Sequence, residues 1–431
     1  MKIVVVGGGA GGLELATKLG RKLGRKGRAD ILLIDRNHTH LWKPLLHEVA
    51  SGTLDAGVEA VSYRAHAHNH GFSFKVGTLS AINREQRMIH LQPVVDEEGV
   101  EILPERNINY DILVLAIGSV SNDFGVEGIR QHCSFLDSPA QATRFQTRLV
   151  NRFIRLNKSL ETQPDATLSV AIVGGGATGV ELSAELFNAR HWFALYGLNR
   201  VTHEHLKVTL VEAGPRLLPA LSEHIATSVH RELLDLGLTI RTDTHVVRAE
   251  KGRLVTGEGD SIDADLMVWA AGVKAPDFLR NFGGLETNRI NQLLVNPFLQ
   301  TQQDANIYAL GDCAGCPIDD KRWVPPRAQS AHQMADTVYA NILRSIVGKP
   351  LKAFKYKDHG SLVSLSRYTT IGNLMGNLTH GSVNIEGRLA RMAYISLYRM
   401  HQLALHGWWR MLMMALAEGI NRIIRPRLKL H

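Results

Sequence analysis

The sequence predicts an α/β fold of two parallel-sheet domains, the second inserted in the first, because one strand–glycine turn–helix–strand unit occurs twice, far apart in the chain. Each copy is closed later by an apolar strand running into a turn of small residues. The chain then ends in a stretch of helical periodicity with a basic face.

The first unit begins with the strand Lys2–Val6, passes through Gly7-Gly-Gly-Ala-Gly-Gly12 into a helix from about Ala10 to Leu23, and continues to the strand Ile31–Ile34, ending at Asp35. The second repeats that order in Leu168–Val173, Gly174-Gly-Gly-Ala-Thr-Gly179, a helix from about Val180, and Lys207–Val211 ending at Glu212. The closing strands are Ile112–Ala116, which runs into Ile117-Gly118-Ser119, and Leu266–Trp269, which runs into Ala270-Ala271-Gly272. A third, Ile307–Leu310, runs into Gly311-Asp312-Cys313-Ala314. Ligands of open α/β sheets gather at such strand ends.

A turn of the form Gly7-x-Gly9-x-x-Gly12 lets the backbone approach a pyrophosphate and aims the N–H groups and positive dipole end of the next helix at it. The carboxylate that ends the following strand accepts hydrogen bonds from ribose hydroxyls. Both domains are therefore expected to be Rossmann-like. Gly7, Gly9, Gly12 and Asp35 are expected to hold one dinucleotide, and Gly174, Gly176, Gly179, Glu212 and Gly272 a second. A carboxylate at Glu212 repels a 2′-phosphate, which favours NADH over NADPH, while Arg216 nearby keeps NADPH open. Two dinucleotide sites in one chain imply that one ligand passes electrons to the other, and FAD with NADH is the economical pair. Hydride transfer needs two rings oriented and water excluded, so no catalytic triad is expected.

With 431 residues, 45% of them hydrophobic and 21% charged, the chain has room for two or three domains with buried cores. Three cysteines make no disulfide framework, and the first residues form a strand rather than an export leader, so the cytoplasm is the expected compartment. No window approaches the roughly 18 consecutive apolar residues that a membrane span requires. The net charge of +8 is concentrated at one end, since residues 386–431 hold eight Arg/Lys against two Glu. From Trp408, positions 411, 412, 415, 416, 419, 420, 423 and 424 continue an apolar helical stripe, with Arg410, Glu418, Asn421, Arg422 and Arg425 on other faces. Leu389–Gly407 carries a similar stripe opposite Arg388, Arg391, Arg399 and Gln402. Basic amphipathic helices with Trp and Met suit an anionic lipid surface. The competing reading is a pair of core or dimer helices. No nucleic-acid motif accompanies the charge.

Over nearly its whole length the chain resembles the bacterial type II respiratory NADH dehydrogenases, non-pumping NADH:quinone oxidoreductases of two-dinucleotide-domain fold. The resemblance is carried by Gly7–Gly12 with Asp35, Leu41-Trp-Lys-Pro-Leu-Leu-His-Glu-Val-Ala50, Gly174–Glu181, Val268-Trp-Ala-Ala-Gly272, Gly311-Asp312 and Pro326-Arg-Ala-Gln-Ser-Ala-His-Gln333. The last is similar to the family's Ala-Gln-x-Ala-x-Gln quinone-site signature, matched at Ala328, Gln329, Ala331 and Gln333. The resemblance implies non-covalent FAD contacted by Lys43, the backbone of Val76 and Asp312, with Ala328 and Gln329 beside the flavin where quinone enters. It implies catalytic roles for Glu181, Gln329 and Gln333. An acid in the first turn of a helix also complements the dipole, which is the plainer reading of Glu181. Quinone reduction takes up two protons, so Glu181 or His332 would serve as a relay, although a helix-surface histidine is the commoner case.

The expected layout is an FAD domain over 1–164 and 286–350, an NADH domain over 165–285, and a membrane-association region over 351–431. The resemblance further implies ubiquinone or menaquinone as acceptor and a peripheral position on the cytoplasmic face of a bacterial inner membrane. An anionic lipid surface meets residues 386–431, and a homodimer through the C-terminal region is a family-level expectation. No metal is expected. Cys313-x-x-Cys316 supplies only two ligands, and His66-x-His68-x-His70, like His38 and His40, reads as a solvated polar segment. Two alternatives remain at this stage. A sulfide:quinone oxidoreductase would use Cys133 with Cys313 or Cys316, and an NADH-responsive flavoprotein sensor would turn over slowly with any quinone.

Overall fold

The structure is a computed structural model and describes residues 1–193, 197–319, 322–365, 369–375, 382–386 and 398–424. In chain order its principal elements begin with β1 (Lys2–Val6), α1 (Ala10–Lys22), β2 (Asp30–Asp35), β3 (Thr39–His40), α2 (Leu46–Ser51), β4 (Val61–Ser62), α3 (Tyr63–His70), β5 (Ser73–Val76) and β6 (Ile112–Leu115). Next come α4 (Pro139–Ser159), β7 (Leu168–Val173), α5 (Ala177–Phe193), β8 (Leu206–Val211), β9 (Thr239–Arg241) and β10 (Leu266–Trp269). The last are β11 (Gln300–Thr301), β12 (Asp304–Ala309), α6 (Ala328–Ile346), β13 (Gly360–Leu365), β14 (Thr369–Met375), β15 (Ser382–Glu386) and α7 (Trp408–Ile424).

Two compact units emerge. The first gathers Met1–Trp42, Ala60–Val120 and Val273–Lys357 around a six-stranded sheet in the order β11-β12-β6-β1-β2-β5. All its pairs are parallel except β11 with β12. Parallel strands covered on both faces need continuous apolar runs, and Ile112–Leu115 is buried throughout. Because β1 lies between β2 and β6, its carboxyl end is a switch point from which the chain leaves in opposite directions, the usual seat of a ligand.

The second unit comprises Lys43–Glu59, Ser121–Gly272 and the described residues from Asp358 onward. Its parallel sheet runs β9-β8-β7-β10, so β7 repeats the placement of β1. Helix α4, for which the glycine motifs give no expectation, starts where the Ser138 hydroxyl accepts from the Gln141 N–H at 3.3 Å and Pro139 takes the first helical position. Phe145, Leu149, Phe153 and Leu156 form its buried stripe.

Before any C-terminal helix, this unit has an antiparallel sheet of β13, β14 and β15. The amphipathic region is therefore shorter than an all-helical reading from 351 would make it. Runs such as Thr369-Thr370-Ile371 favour strand through their β-branched side chains. Residues 398–406 and α7 are helical, whereas 387–397, part of the earlier expected stripe, lie outside the described residues. Among the described residues no helix is long and apolar enough to cross a membrane.

Candidate functional site

The two glycine turns are built alike, each within its own unit. Gly7 and Gly174 sit at φ +105° and +114°, which disfavours any side chain, and a Cβ there would also overlap the closing turns at Ala116 and at Ala270–Ala271 respectively. A Cβ on Gly12 would fall on the Gly7 carbonyl, and one on Gly179 on that of Gly174, so helix and strand touch through glycine alone. The Gly8 N–H donates to Asp35 Oδ2 at 2.7 Å, and the Gly175 N–H to Glu212 Oε2 at 2.6 Å. The second oxygens accept from Asn37 N–H (2.8 Å) and Gly214 N–H (2.7 Å). Each carboxylate thus fixes its own turn and keeps lone pairs for further donors.

The middle glycines behave differently. A Cβ on Gly9 or Gly176 would meet nothing within 4 Å, and Gly9 caps α1 without a side-chain hydrogen bond. The first N–H groups of α1 therefore open onto free space at a positive dipole end, which is what a pyrophosphate requires. On this observation the residues fit a dinucleotide at each turn.

Other expected cofactor residues of the first unit lie beyond the carboxyl ends of its strands or at the start of α6. Asp312 lies in the turn Gly311–Cys313, where its carboxylate accepts from Ser119 Oγ at 2.7 Å and its carbonyl from Gln292 Nε2 at 2.9 Å. Val76 stands opposite Asp35 at the end of β5, and its carbonyl is taken by Arg106 at 2.9 Å. Ala328 and Gln329, half-buried, begin α6, whose start is seated on α1 because Gly11 leaves room for the Ala331 backbone. Gln333 has an employment that the motif does not announce. Its Nε2 donates to the Lys357 carbonyl at 2.8 Å and its Oε1 accepts from the Lys357 N–H at 2.9 Å, so the amide ties down the backbone after α6. Ser119 and Gln292 escaped the motif reading, although the strand-end turn containing Ser119 was a signal for the first.

One seam between α1 and α6 carries matched charges. His332 pairs with Glu14, which is only 1% exposed, and one turn further on Lys18 pairs with Asp336. The hydrogen bond to Glu14 holds the His332 imidazole above its usual value, against the effect of burial. A raised histidine contributes stability that is complete below the unfolded value near 6.5 and lost as pH rises through the folded one. Melting of the wild-type protein should therefore lose stability from about pH 6.5 upward. In His332→Gln that part of the pH profile should flatten; an identical profile in the variant would refute the linkage.

In the second unit Glu181 is buried on α5, and its Oε2 lies 3.5 Å from His47 Nδ1 on α2. Burial pushes His47 down to about 4, so the imidazole is neutral at pH 7. One turn along, Glu185 accepts from Thr53 Oγ1 (3.0 Å) and Asn188 Nδ2 (3.3 Å), extending a buried polar cluster that sequence spacing did not reveal. Lys43 is exposed on the single turn Lys43–Leu45, and Gly272, at φ +63°, leaves room for the Phe124 ring.

Two expectations need correction. His66 and His70 are buried rather than solvated. They stand on a helix, where Thr17 Oγ1 meets His66 Nε2 at 2.9 Å and Arg21 donates to His70 at 3.1 Å. His40 is buried too, and its Nδ1 reaches the Gly8 carbonyl at 2.9 Å. The thiols of Cys133, Cys313 and Cys316 are buried and pushed up to about 12, 11 and 11, far from the thiolate that dithiol chemistry needs.

Comparison with known proteins agrees with this geometry. The pattern of the pyridine nucleotide-disulphide oxidoreductase family matches residues 1–335. A type II NADH:quinone oxidoreductase of Haemophilus influenzae is 49% identical over 441 aligned positions, covering 100% of this chain and 99% of the relative. One from Staphylococcus aureus is 30% identical, covering 87% of this chain and 90% of its own. The solved NDH2 of Plasmodium falciparum in complex with NADH superposes with a TM-score of 0.79, covering 99% of both chains at 19% identity, a likeness of fold. The chain belongs to the type II NADH:quinone oxidoreductases, within the pyridine nucleotide-disulphide oxidoreductase family.

Proposed function

We propose that this chain oxidises NADH by way of non-covalently bound FAD and reduces a membrane quinone, ubiquinone or menaquinone, without moving ions across the membrane. The observation that carries this reading is the pair of like-built glycine turns, each with its own carboxylate and its own open cradle. FAD is assigned to Gly7, Gly9, Gly12 and Asp35, with Lys43, Val76, Asp312, Ala328 and Gln329 as further contacts; the FAD domain spans 1–164 and 286–350. NADH is assigned to Gly174, Gly176, Gly179, Glu212 and Gly272 within 165–285. When bound, FAD supplies the redox chemistry, accepting hydride from NADH and passing two electrons to quinone.

The protein's own part is to bind, orient and move protons. Helix N–H groups and the Asp35 and Glu212 carboxylates hold the two dinucleotides. Gln329 stands at the start of α6 for the quinone headgroup, while Gln333 positions the backbone at Lys357. Glu181, whose Oε2 lies 3.5 Å from the buried, neutral His47 imidazole, is the carboxyl group assigned to proton transfer towards the quinone.

The second dinucleotide is read as NADH because Glu212 offers a carboxylate where a 2′-phosphate would sit. Arg216 is engaged by its own loop, donating to the Leu221 and Pro219 carbonyls, both at 3.0 Å. With a short-chain quinone as acceptor, kcat/KM for NADH should exceed that for NADPH by roughly a hundredfold, about two lost charge-assisted hydrogen bonds. Equal values would overturn the assignment.

Docking to anionic lipid is assigned to the C-terminal part of 351–431. On α7, Trp409, Met413, Leu416 and Ile420 are each more than half exposed and recur at helical spacing, with Trp408 equally exposed beside Trp409. This wet apolar stripe supports a peripheral position at a membrane surface, and the cytoplasmic face is what the family resemblance implies. Replacing Trp408 and Trp409 by Ser should shift the protein from pelleted anionic vesicles to the supernatant, with a loss of about tenfold or more in partitioning. Undiminished pelleting would show that the stripe serves something else, such as a homodimer.

A further inference from the structure

We infer that His40 and Tyr63 are positioning residues that set how firmly FAD is retained, by pinning the carbonyl of Gly8 in the first glycine turn. The inference rests on the assignment of FAD to that turn. Tyr63 Oη donates to the Gly8 carbonyl at 2.7 Å and His40 Nδ1 at 2.9 Å, both bonds being buried. The carbonyl only accepts, so His40 must carry its proton on Nδ1. Tyr63 stays a donor, because burial, with Asp35 nearby, raises its phenol well above the usual value.

Both donors are held in place by their surroundings. His40 belongs to the two-residue ladder of β3 and β4, in which Thr39 pairs with Ser62 and His40 with Val61, and Tyr63 follows β4 directly. The Tyr63 N–H also bonds the His38 carbonyl at 3.1 Å. The Tyr63 ring stacks on Phe74 with centroids 5.1 Å apart, and it fills the space that a Cβ on Gly8 would need. The phenol and the imidazole therefore converge on one oxygen from a rigid frame.

What the clamp controls follows from peptide planarity. In a trans peptide the N–H points opposite to the C=O, so pinning the Gly8 carbonyl aims the Gly9 N–H away from the clamp. Gly9 is the glycine whose surroundings are open, the place assigned above to the pyrophosphate. Hydrogen bonds to a carbonyl also polarise its peptide and strengthen the N–H on the other side as a donor. His40 and Tyr63 touch no ligand in this scheme; they act through the Gly8–Gly9 peptide.

The second turn supplies an internal comparison. Its corresponding carbonyl, that of Gly175, accepts among the described residues one backbone N–H, from Leu218 at 2.8 Å, and Leu218 itself sits at φ +49°, a conformation disfavoured for leucine. The same peptide is thus held in the first turn by two buried side chains and in the second by one backbone donor from a strained position. That asymmetry matches a resident cofactor in one turn and an exchanging substrate in the other.

The test compares Tyr63→Phe, His40→Leu and His40→Asn with wild type. It measures FAD release from the holoenzyme by the rise of free-flavin fluorescence on dilution, NAD⁺ affinity by calorimetry, and melting temperature. Tyr63→Phe and His40→Leu should each release FAD roughly tenfold faster, the worth of about one buried hydrogen bond, with NAD⁺ affinity unchanged. His40→Asn, which restores a donor, should recover most of the loss. Unchanged release in both Tyr63→Phe and His40→Leu would overturn the inference. So would a parallel loss of NAD⁺ affinity and melting temperature, which marks general destabilisation. Should His40→Leu fail to fold, Tyr63→Phe and His40→Asn decide between the same outcomes. Wild-type protein that takes up no FAD would instead remove the cofactor assignment, and the inference with it.

Discussion

Gly9→Val should give a folded protein that has lost its flavin. Gly9 has φ −64° and ψ −173°, which any residue adopts, and a Cβ there meets no protein atom within 4 Å. The fold therefore accepts the side chain, at an expense of about 1 kcal/mol for a poor N-cap. The isopropyl group fills the cradle from which the first N–H groups of α1 reach a pyrophosphate. Losing two charge-assisted hydrogen bonds there costs about 3–6 kcal/mol, more than a hundredfold in FAD affinity. The mirror change, Gly176→Val, should leave the protein yellow and raise the KM for NADH by a similar factor. Flavin content, circular dichroism and NADH kinetics on the two variants check the pair. A yellow Gly9→Val, or a colourless Gly176→Val, would reverse or refute the assignment of the turns. Glycines whose Cβ would strike backbone, such as Gly12, make poorer tests because their replacement disturbs folding as well as binding.

Glu181→Gln carries the second large expectation. The amide keeps the shape of the side chain but cannot hold and release a proton, so the step that protonates quinone should slow by roughly a hundredfold. Bleaching of the flavin by NADH, which needs no proton from the protein, should stay within a few-fold of wild type. Stopped-flow measurement of the two half-reactions separates these effects. Equal slowing of both would make Glu181 a structural residue of the α2–α5 cluster. Acid conditions add a further sign. Because burial pulls His47 down to about 4, the folded state resists protonation there, and stability contributed above pH 6.5 is lost as pH falls towards 4.

Local grammar made much of this legible from residues alone. A strand, three spaced glycines, a helix and an acid at the next strand end each have a physical reason, and in both copies the reasons agree, so the elements fall where periodicity places them. The helix of α7 was readable for the same cause, but its exposed apolar side runs through Trp409, Met413, Leu416 and Ile420, of which only Leu416 and Ile420 belong to the stripe expected from the sequence. What could not be read depends on contacts between distant segments. Nothing near Glu14 announces His332, nothing near Glu181 announces His47, and the Gly8 carbonyl meets Tyr63 only because β3 and β4 pair. The histidines misled for this reason. His40, His66 and His70 look like a solvated polar segment in one dimension, whereas in the fold each is buried against a partner on or beside α1. Gln333 shows the limit of a motif, which marks the residue without saying that its amide grips the Lys357 backbone.

One measurement bears most directly on the whole account, the anaerobic addition of NADH to the purified protein followed by a short-chain quinone. The yellow flavin band should bleach with one equivalent of NADH and return in full when quinone is added. A band that persists in NADH, or one that bleaches and does not return with quinone, would contradict the reading of this chain as an NADH:quinone oxidoreductase.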